Sequence, residues 1–357
     1  MRPNFLEKGK PMHKCGKKNG SFFFGVLTFM AKPYQSVNQQ INILTSRGMK
    51  FKDLPKAKQV LNHKNYYNLI NGYKKLILDS SATIEQYLPN LYFEEIVEVS
   101  SFDRNLRALF LKYILYIEDE LRRHIAHEFA KNHGSDTWDD VNSYESSTSR
   151  TLAHVNNLIT KLNRINSRVN QDSHDDMLQH FSSRGDKTPI WALVNDFEFG
   201  TSKSFYFNMK SLEKDTIARD YYSLNFAQLK TFLETLNMFR NVFAHDYRCL
   251  FYRIYDRDKQ ISSMPLHTNM HIETLSIATG ITFKYGKNDL FAVVIIFKYM
   301  LSQEVFKKFF YELKRLIKNL KRKIKTIDID EVLLSLGFPL KESSGQYDWS
   351  YIIKANK

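Results

Sequence analysis

Apolar residues recur every three or four positions along most of this chain, the period of helices that turn one face to a core. Phe102, Leu106, Phe110, Tyr113, Ile117 and Leu121 keep that spacing and predict the clearest helix, over Phe102–His133. A second long amphipathic helix is predicted over Glu304–Lys325, with Phe306, Phe310, Leu313, Ile317, Leu320 and Ile324 as its stripe. Ser36-x-x-Gln39 is a capping-box opening for a helix carrying Val37, Ile41 and Leu44, with Gly48 at its end. Leu54–Tyr73 predicts another, dense in tyrosine (Tyr66, Tyr67, Tyr73); such rings at helical spacing are more often core than base-stacking platforms. Pro189 opens an apolar helix over Ile190–Phe199 closed by Gly200, and Asn288-Asp289 precedes one over Leu290–Leu301. Polar stretches over Ser135–Ser149 and Val169–Thr188 punctuate the middle, and residues 247–284 are irregular, β-leaning around Leu250–Tyr255 and Ile281–Tyr285.

One helical pattern breaks its own rule. Leu229, Leu233, Leu236 and Arg240 follow one face, so Arg240 stands where another leucine is expected. A guanidinium in an apolar stripe costs several kcal/mol unless paired or solvated. Asn241 and His245, four apart, share a second face. Arg240 and His245 are five apart, about 140° around an ideal helix. They meet only if the helix is irregular, if Arg240 reaches round, or if two chains share the site. The bland alternative is a helix end with dipole-friendly residues. Glu118 and Arg122 form an i,i+4 pair on a flank of the first long helix. Their default meaning is a surface ion pair; the alternative is support for Arg240 or His245 from a neighbouring helix.

The formal charge of +14 and pI of about 9.4 point to a polyanionic partner. Residues 1–30 look foreign to the rest: Arg2, Lys8, Lys10, Lys14, Lys17 and Lys18 face only Glu7, ahead of an apolar run from Phe22 to Met30. No small-x-small cleavage site follows, so the expectation is an upstream extension or disordered leader, with Met30 as the true start. Removing its surplus of five from +14 leaves +9, still basic. In the C-terminal helix, from Val305 on, Lys307, Lys308, Lys314, Arg315, Lys318, Lys321, Arg322, Lys323 and Lys325 face the single Glu312, one-sided enough to suggest phosphate contact. Two cysteines, Cys15 and Cys249, form no disulfide framework and suit a reducing cytoplasm. The chain has no run of 18 apolar residues, no Gly-rich phosphate loop, no GxGxxG and no GxSxG. His267 and His271 have a helical zinc spacing but lack the glutamate of HExxH, so no metal site is expected.

Arg-Asn-x-x-x-His at a helix end resembles the signature of the HEPN ribonuclease superfamily. The rest of the chain resembles the bacterial abortive-infection (Abi) family of the AbiD/AbiF type. The matching stretches are Lys32-Pro33-Tyr34-x-Ser36-Val37 with Gln40 and Arg47-Gly48; Asn65-Tyr66-Tyr67 with Gly72-Tyr73; Phe102-Asp103-Arg104-x-Leu106-Arg107; Ile117-Glu118 with Leu121-Arg122; Pro189-Ile190-Trp191 with Phe199-Gly200; Arg240-Asn241 with Ala244-His245; and Gly337-Phe338-Pro339. The family's tail often has a Trp soon after Gly-Phe-Pro; here the nearest is Trp349, so the carry-over stops near Leu340.

The resemblance implies an all-α HEPN-like bundle with additional N- and C-terminal helices and a few short strands or irregular segments. Its regions would be a leader (1–30), an N-terminal helical region (31–100), a core carrying the motif (101–285) and basic C-terminal helices (286–357). It implies a cytoplasmic phage-defence toxin that cleaves RNA without metal or cofactor, through attack of the ribose 2′-hydroxyl to leave 2′,3′-cyclic phosphate ends. His245 would be the general acid or base, Arg240 the phosphate holder, and Asn241 an orienting group, with Glu118 and Arg122 in support. The implied partners are RNA and a second copy, giving a homodimer with a composite site, and no membrane. A structured noncoding RNA regulator would suit Lys314, Arg315, Lys318, Lys321 and Arg322. The alternatives are a non-catalytic RNA-binding or scaffold protein, or a helical partner of another toxin–antitoxin protein.

Overall fold

The computed structural model describes residues 34–172, 181, 187–221, 224–254, 286–340 and 349–353. Cys15, His267, His271 and the piece Ile281–Tyr285 lie outside them. Contacts divide the chain into two units, Met1–Ser36 and Val37–Lys357. Among the described residues the second unit holds twelve α-helices. These are α1 (Val37–Ser46), α2 (Leu54–His63), α3 (Tyr66–Leu69), α4 (Phe93–His133), α5 (Ser149–Asp172), α6 (Ile190–Leu193), α7 (Phe199–Asn208), α8 (Ser211–Asp220), α9 (Phe226–Ala244), α10 (Leu290–Met300), α11 (Gln303–Lys323) and α12 (Ile329–Ser335). The fold is all-α. Among the described residues, pairing outside the helices is limited to two isolated bridges, Lys50 with Tyr92 and Leu78 with Tyr87. Leu250–Ile254 is turn and irregular chain rather than strand. No described helix is long and apolar enough to cross a membrane.

Helix α4 is the axis of the bundle. Its 41 residues span about 60 Å, and α11, α9, α6, α7 and α8 all pack on it. The stripe from Phe102 to Leu121 is buried as expected. The helix starts nine residues earlier than predicted, because Phe93, Ile96 and Val99 extend the stripe while Tyr92 offers no side-chain cap to mark the start. Gly134 ends it at φ +93, its N–H donating to the Ala130 carbonyl. Four phenylalanines join four helices: Phe110 of α4 stacks on Phe297 of α10 at 5.6 Å, meets Phe309 of α11 edge-on at 5.1 Å, and lies 6.0 Å from Phe243 of α9. Helix α10 is buried on every side from Leu290 to Lys298, with Asp289 capping it.

Two further boundaries differ from the expectation. Leu54–Tyr73 is not one helix: Asn65 accepts from the Asn68 N–H and caps a new turn, so α2 stops at His63. Tyr73 is core, whereas Tyr67 is exposed. Gly200 closes nothing; it is the second residue of α7, and the apolar stretch before it divides into α6 and a 3₁₀ turn over Val194–Asp196. In the tail, Trp349 packs against Gly-Phe-Pro. The Trp349 N–H donates to the Pro339 carbonyl at 2.8 Å, and its ring meets those of Phe338 and Phe310, each at 5.4 Å.

Candidate active site at the end of helix α9

Asn225 and Gln228 form a reciprocal capping box that starts α9, and the helix runs regularly to Ala244. His245 is its C-cap, exposed, with its N–H bonded to the Asn241 carbonyl at 3.1 Å. Asp246 takes φ +58, and the Tyr247 N–H reaches back to the Val242 carbonyl at 3.1 Å, closing a Schellman-type end. Aspartate tolerates this left-handed conformation better than most residues.

The turn is clamped from α4. Arg107 Nη2 donates to Asp246 Oδ1 at 2.6 Å, and Nη1 donates to the Tyr247 carbonyl at 2.9 Å and to Asp103 Oδ2 at 2.7 Å. Asp103 is fully buried. Its Oδ1 accepts from the Cys249 and Leu250 N–H groups at 3.0 and 3.2 Å, and Oδ2 also accepts from the Tyr73 hydroxyl at 3.3 Å. Burial pushes this carboxyl up from its usual range, opposed by Arg107 and the two backbone donors. Asp103 thus ties α4, the turn at Tyr73 and the chain after α9 into one frame around His245.

His245 lies on the wall of an open cleft of about 840 Å³ lined by the end of α2, the stretch of α4 from Ser100 to Arg107 and the chain after α9. Lys64, Arg104, Arg107 and Arg248 line it, with His63 and His245, against the single carboxylate of Asp246. Burial and the neighbouring Arg104 hold the Lys64 ammonium below its usual range, with Asp246 and Glu98 pulling back. The Arg248 guanidinium lies 5.8 Å from the centre of the Tyr73 ring and passes over Gly72, where a Cβ would come within 2.3 Å of it. Cations crowded this closely, against one acid, make an anion-binding surface.

Arg240 and Asn241 do not line the cleft. Asn241 is exposed on the same stripe of α9 as His245. Arg240 is half-buried on another flank, beside Glu118 and Arg122 of α4. Glu118 is buried rather than part of a surface pair; Arg122 donates to it at 2.5 Å and also to the Phe197 carbonyl. Burial pushes the Glu118 carboxyl up, while Arg122 and then Arg240 pull it down. Arg240 Nε, Arg122 Nε and Glu118 Oε2 are all buried without a hydrogen-bond partner. An unsatisfied buried donor costs about 1–3 kcal/mol, so this flank stores polar capacity that the fold itself does not use. Helix α9 is regular here, so the structure brings together Arg240, Glu118 and Arg122 at one place and His245 with the cleft at another.

The nine basic residues at and after α11 are all exposed, while Phe306, Phe310, Leu313, Ile317, Leu320 and Ile324 are buried. Lys323 pairs with Glu98 at 2.8 Å, and Arg322 donates to Asn319 at 2.6 Å. Among the described residues no group of three His, Cys, Asp or Glu could hold a metal ion.

The cleft residues His63, Lys64, Arg104, Arg107, Asp246 and Arg248 were assigned no role from sequence. Asp103-Arg104-x-Leu106-Arg107 carried one usable signal: an acid and a base four apart inside an apolar stripe. His63, Lys64 and Arg248 carried none, since only the tertiary fold brings them beside His245.

The model of the Abi-like protein family matches residues 59–251. The chain belongs to that family. The matched span holds every cleft residue but Tyr252, together with Glu118, Arg122 and the Arg-Asn-x-x-x-His motif, and it stops before α10. No curated protein and no solved structure matches the chain. Membership of the Abi-like family points to abortive-infection phage defence.

Proposed function

We propose that this Abi-like protein is a HEPN-type endoribonuclease that arrests growth during phage infection. The observation that carries the reading is an exposed histidine, His245, held by a rigid turn on the wall of a cation-lined cleft. An imidazole is a general acid–base side chain, so His245 can take the proton of a ribose 2′-hydroxyl or give one to a leaving 5′-oxygen without a metal. Lys64, Arg104 and Arg248 would hold the RNA backbone and offset charge building on the phosphate. Tyr247, exposed beside His245 with ring centroids 6.2 Å apart, offers a face on which a base can stack.

Arg240 enters through a second copy in this reading. Arg240 lies away from its own chain's cleft, so a site that uses Arg240 and His245 together would be shared across a homodimer. Asn241, on the exposed stripe between them, would sit in that interface. Glu118 and Arg122 would position Arg240. The basic face of α11, through Lys314, Arg315, Lys318, Lys321 and Arg322, would carry a longer RNA, including a structured noncoding regulator. The test is induced expression of wild type beside His245→Ala and Arg240→Ala, with growth and total-RNA integrity followed and folding checked by circular dichroism. Arrest and RNA cleavage by the wild type alone support the reading. Equal behaviour of all three, without cleavage during phage infection, supports the second reading, an RNA-binding scaffold, which the same cationic cleft would serve.

A further inference from the structure

We propose that His63 is the second proton-transfer group of this site, so that one chain supplies both the acid and the base. The inference rests on the ribonuclease reading. Attack of a 2′-hydroxyl on its phosphate forms the P–O2′ bond and breaks the P–O5′ bond. One group must accept the 2′-hydroxyl proton and another must donate a proton to the departing 5′-oxygen. The Arg-Asn-x-x-x-His motif supplies one imidazole. The fold supplies another: α2 ends at His63 because Asn65 caps the next turn, and this end lines the same cleft as the end of α9. His63 and His245 line the same cleft, and both are exposed.

The groups that line the cleft with them are suited to a phosphate. Lys64, next to His63, is close enough to Arg104 and Asp246 to feel both charges, and Asp246 follows His245 directly. A phosphate bridging Lys64 and Arg104 would sit in the cleft that both imidazoles line. The volume of about 840 Å³ falls in the range of small-ligand clefts, roughly 300–1,000 Å³, enough for a dinucleotide step. The titratable and charged groups lining the cleft with the two rings are Lys64, Tyr73, Arg104, Arg107, Asp246, Arg248 and Tyr252, with Tyr247 against His245. The one acid among them, Asp246, is engaged by Arg107 at 2.6 Å, which leaves the imidazoles to carry the protons.

Both imidazoles must hold opposite protonation states, so the rate follows a bell in pH with one limb from each. The test is cleavage of a short single-stranded RNA by purified full chain, wild type beside His63→Gln and His245→Ala, from acid to alkaline pH. A parallel substrate carries sulfur in place of the bridging 5′-oxygen, a leaving group that needs no proton. The assignment predicts that His63→Gln lowers kcat by about 100-fold or more, leaves KM within about threefold, and removes one limb of the bell. Whichever of the two variants has lost the acid recovers on the sulfur substrate, and the other does not. Mixing His63→Gln with His245→Ala chains restores nothing beyond the sum of the two. A His63→Gln enzyme that keeps both limbs, with or without a lower rate, overturns the assignment while leaving the ribonuclease reading intact. So does recovery on mixing, which would place the second group in another chain. A wild type that cuts no RNA, or cuts no better than His245→Ala, sinks the ribonuclease reading itself and this assignment with it. His63 is exposed at a helix end, so its replacement does not threaten the fold.

Discussion

Asp103 is the residue whose removal most directly tests how the site is held. Asp103→Ala deletes a buried carboxylate that accepts four hydrogen bonds, from the Cys249 and Leu250 N–H groups, the Tyr73 hydroxyl and Arg107. Two backbone donors are left buried without a partner, at about 1–3 kcal/mol each. Arg107 loses one of three acceptors but keeps Asp246 and the Tyr247 carbonyl, so its charge is not stranded. Against this, the variant no longer pays to bury a carboxylate that lies uphill of its usual range. The net expectation is a loss of about 3–5 kcal/mol, a large share of the roughly 5–15 kcal/mol of a typical domain. Asp103→Asn keeps an oxygen for the backbone donors and relieves the burial of charge, but turns an amide N–H toward Arg107. Its loss is expected to be smaller by about 2 kcal/mol. Urea denaturation gives both numbers, and amide exchange at residues 246–250 reports the turn alone. In Asp103→Ala these amides exchange faster than those of the α4 core; in Asp103→Asn they stay protected. A loss under about 1 kcal/mol for Asp103→Ala, or equal losses for the two variants, would refute the argument, because acceptor geometry would then not be what holds the turn.

Two more predictions follow from buried or clustered charge. Burial pushes the Asp289 carboxyl up to about 7 from 3.8, against Arg253 and the backbone N–H groups of Gly286, Ala292 and Phe291. A group raised in the folded state binds more protons there, so its contribution is fully present below about pH 4 and is lost as pH rises through about 7, by at most about 4 kcal/mol. Thermal unfolding of wild type should therefore weaken from pH 5 to pH 8 more than that of Asp289→Asn; parallel curves would exclude Asp289 as the source. On α11, reversing Lys314, Arg315, Lys318, Lys321 and Arg322 to glutamate should lower RNA co-purification severalfold without unfolding the protein, since all five side chains are exposed. Unchanged co-purification would remove α11 as an RNA platform.

Much of the fold is legible from local pattern. The stripes of α4, α9 and α11 are read directly from the 3.6-residue period, and Asp289 marks the start of α10 by its capping chemistry. The failures are equally local in origin. The period of α2 runs on past Asn65, and only the capping bond to Asn68 ends it. The apolar run after Pro189 looks continuous because periodicity alone does not register a 3₁₀ turn. Trp349 shows a different limit, since its distance along the chain from Gly-Phe-Pro does not say that the two pack together.

The candidate site divides the same way. Sequence by itself marked Arg240, Asn241 and His245, because a charged residue in an apolar stripe is visible without coordinates. It also paired Glu118 with Arg122 by spacing. What it could not decide was company: a helix period places residues on faces but does not say which neighbouring helix meets each face. Tertiary packing set Arg240 beside Glu118, and set His245 beside Lys64, Arg104 and His63, which lie more than 100 positions away in the chain. Charge and hydrogen-bond satisfaction act through space, so the chemistry of the cleft was decided by how α2, α4 and α9 pack.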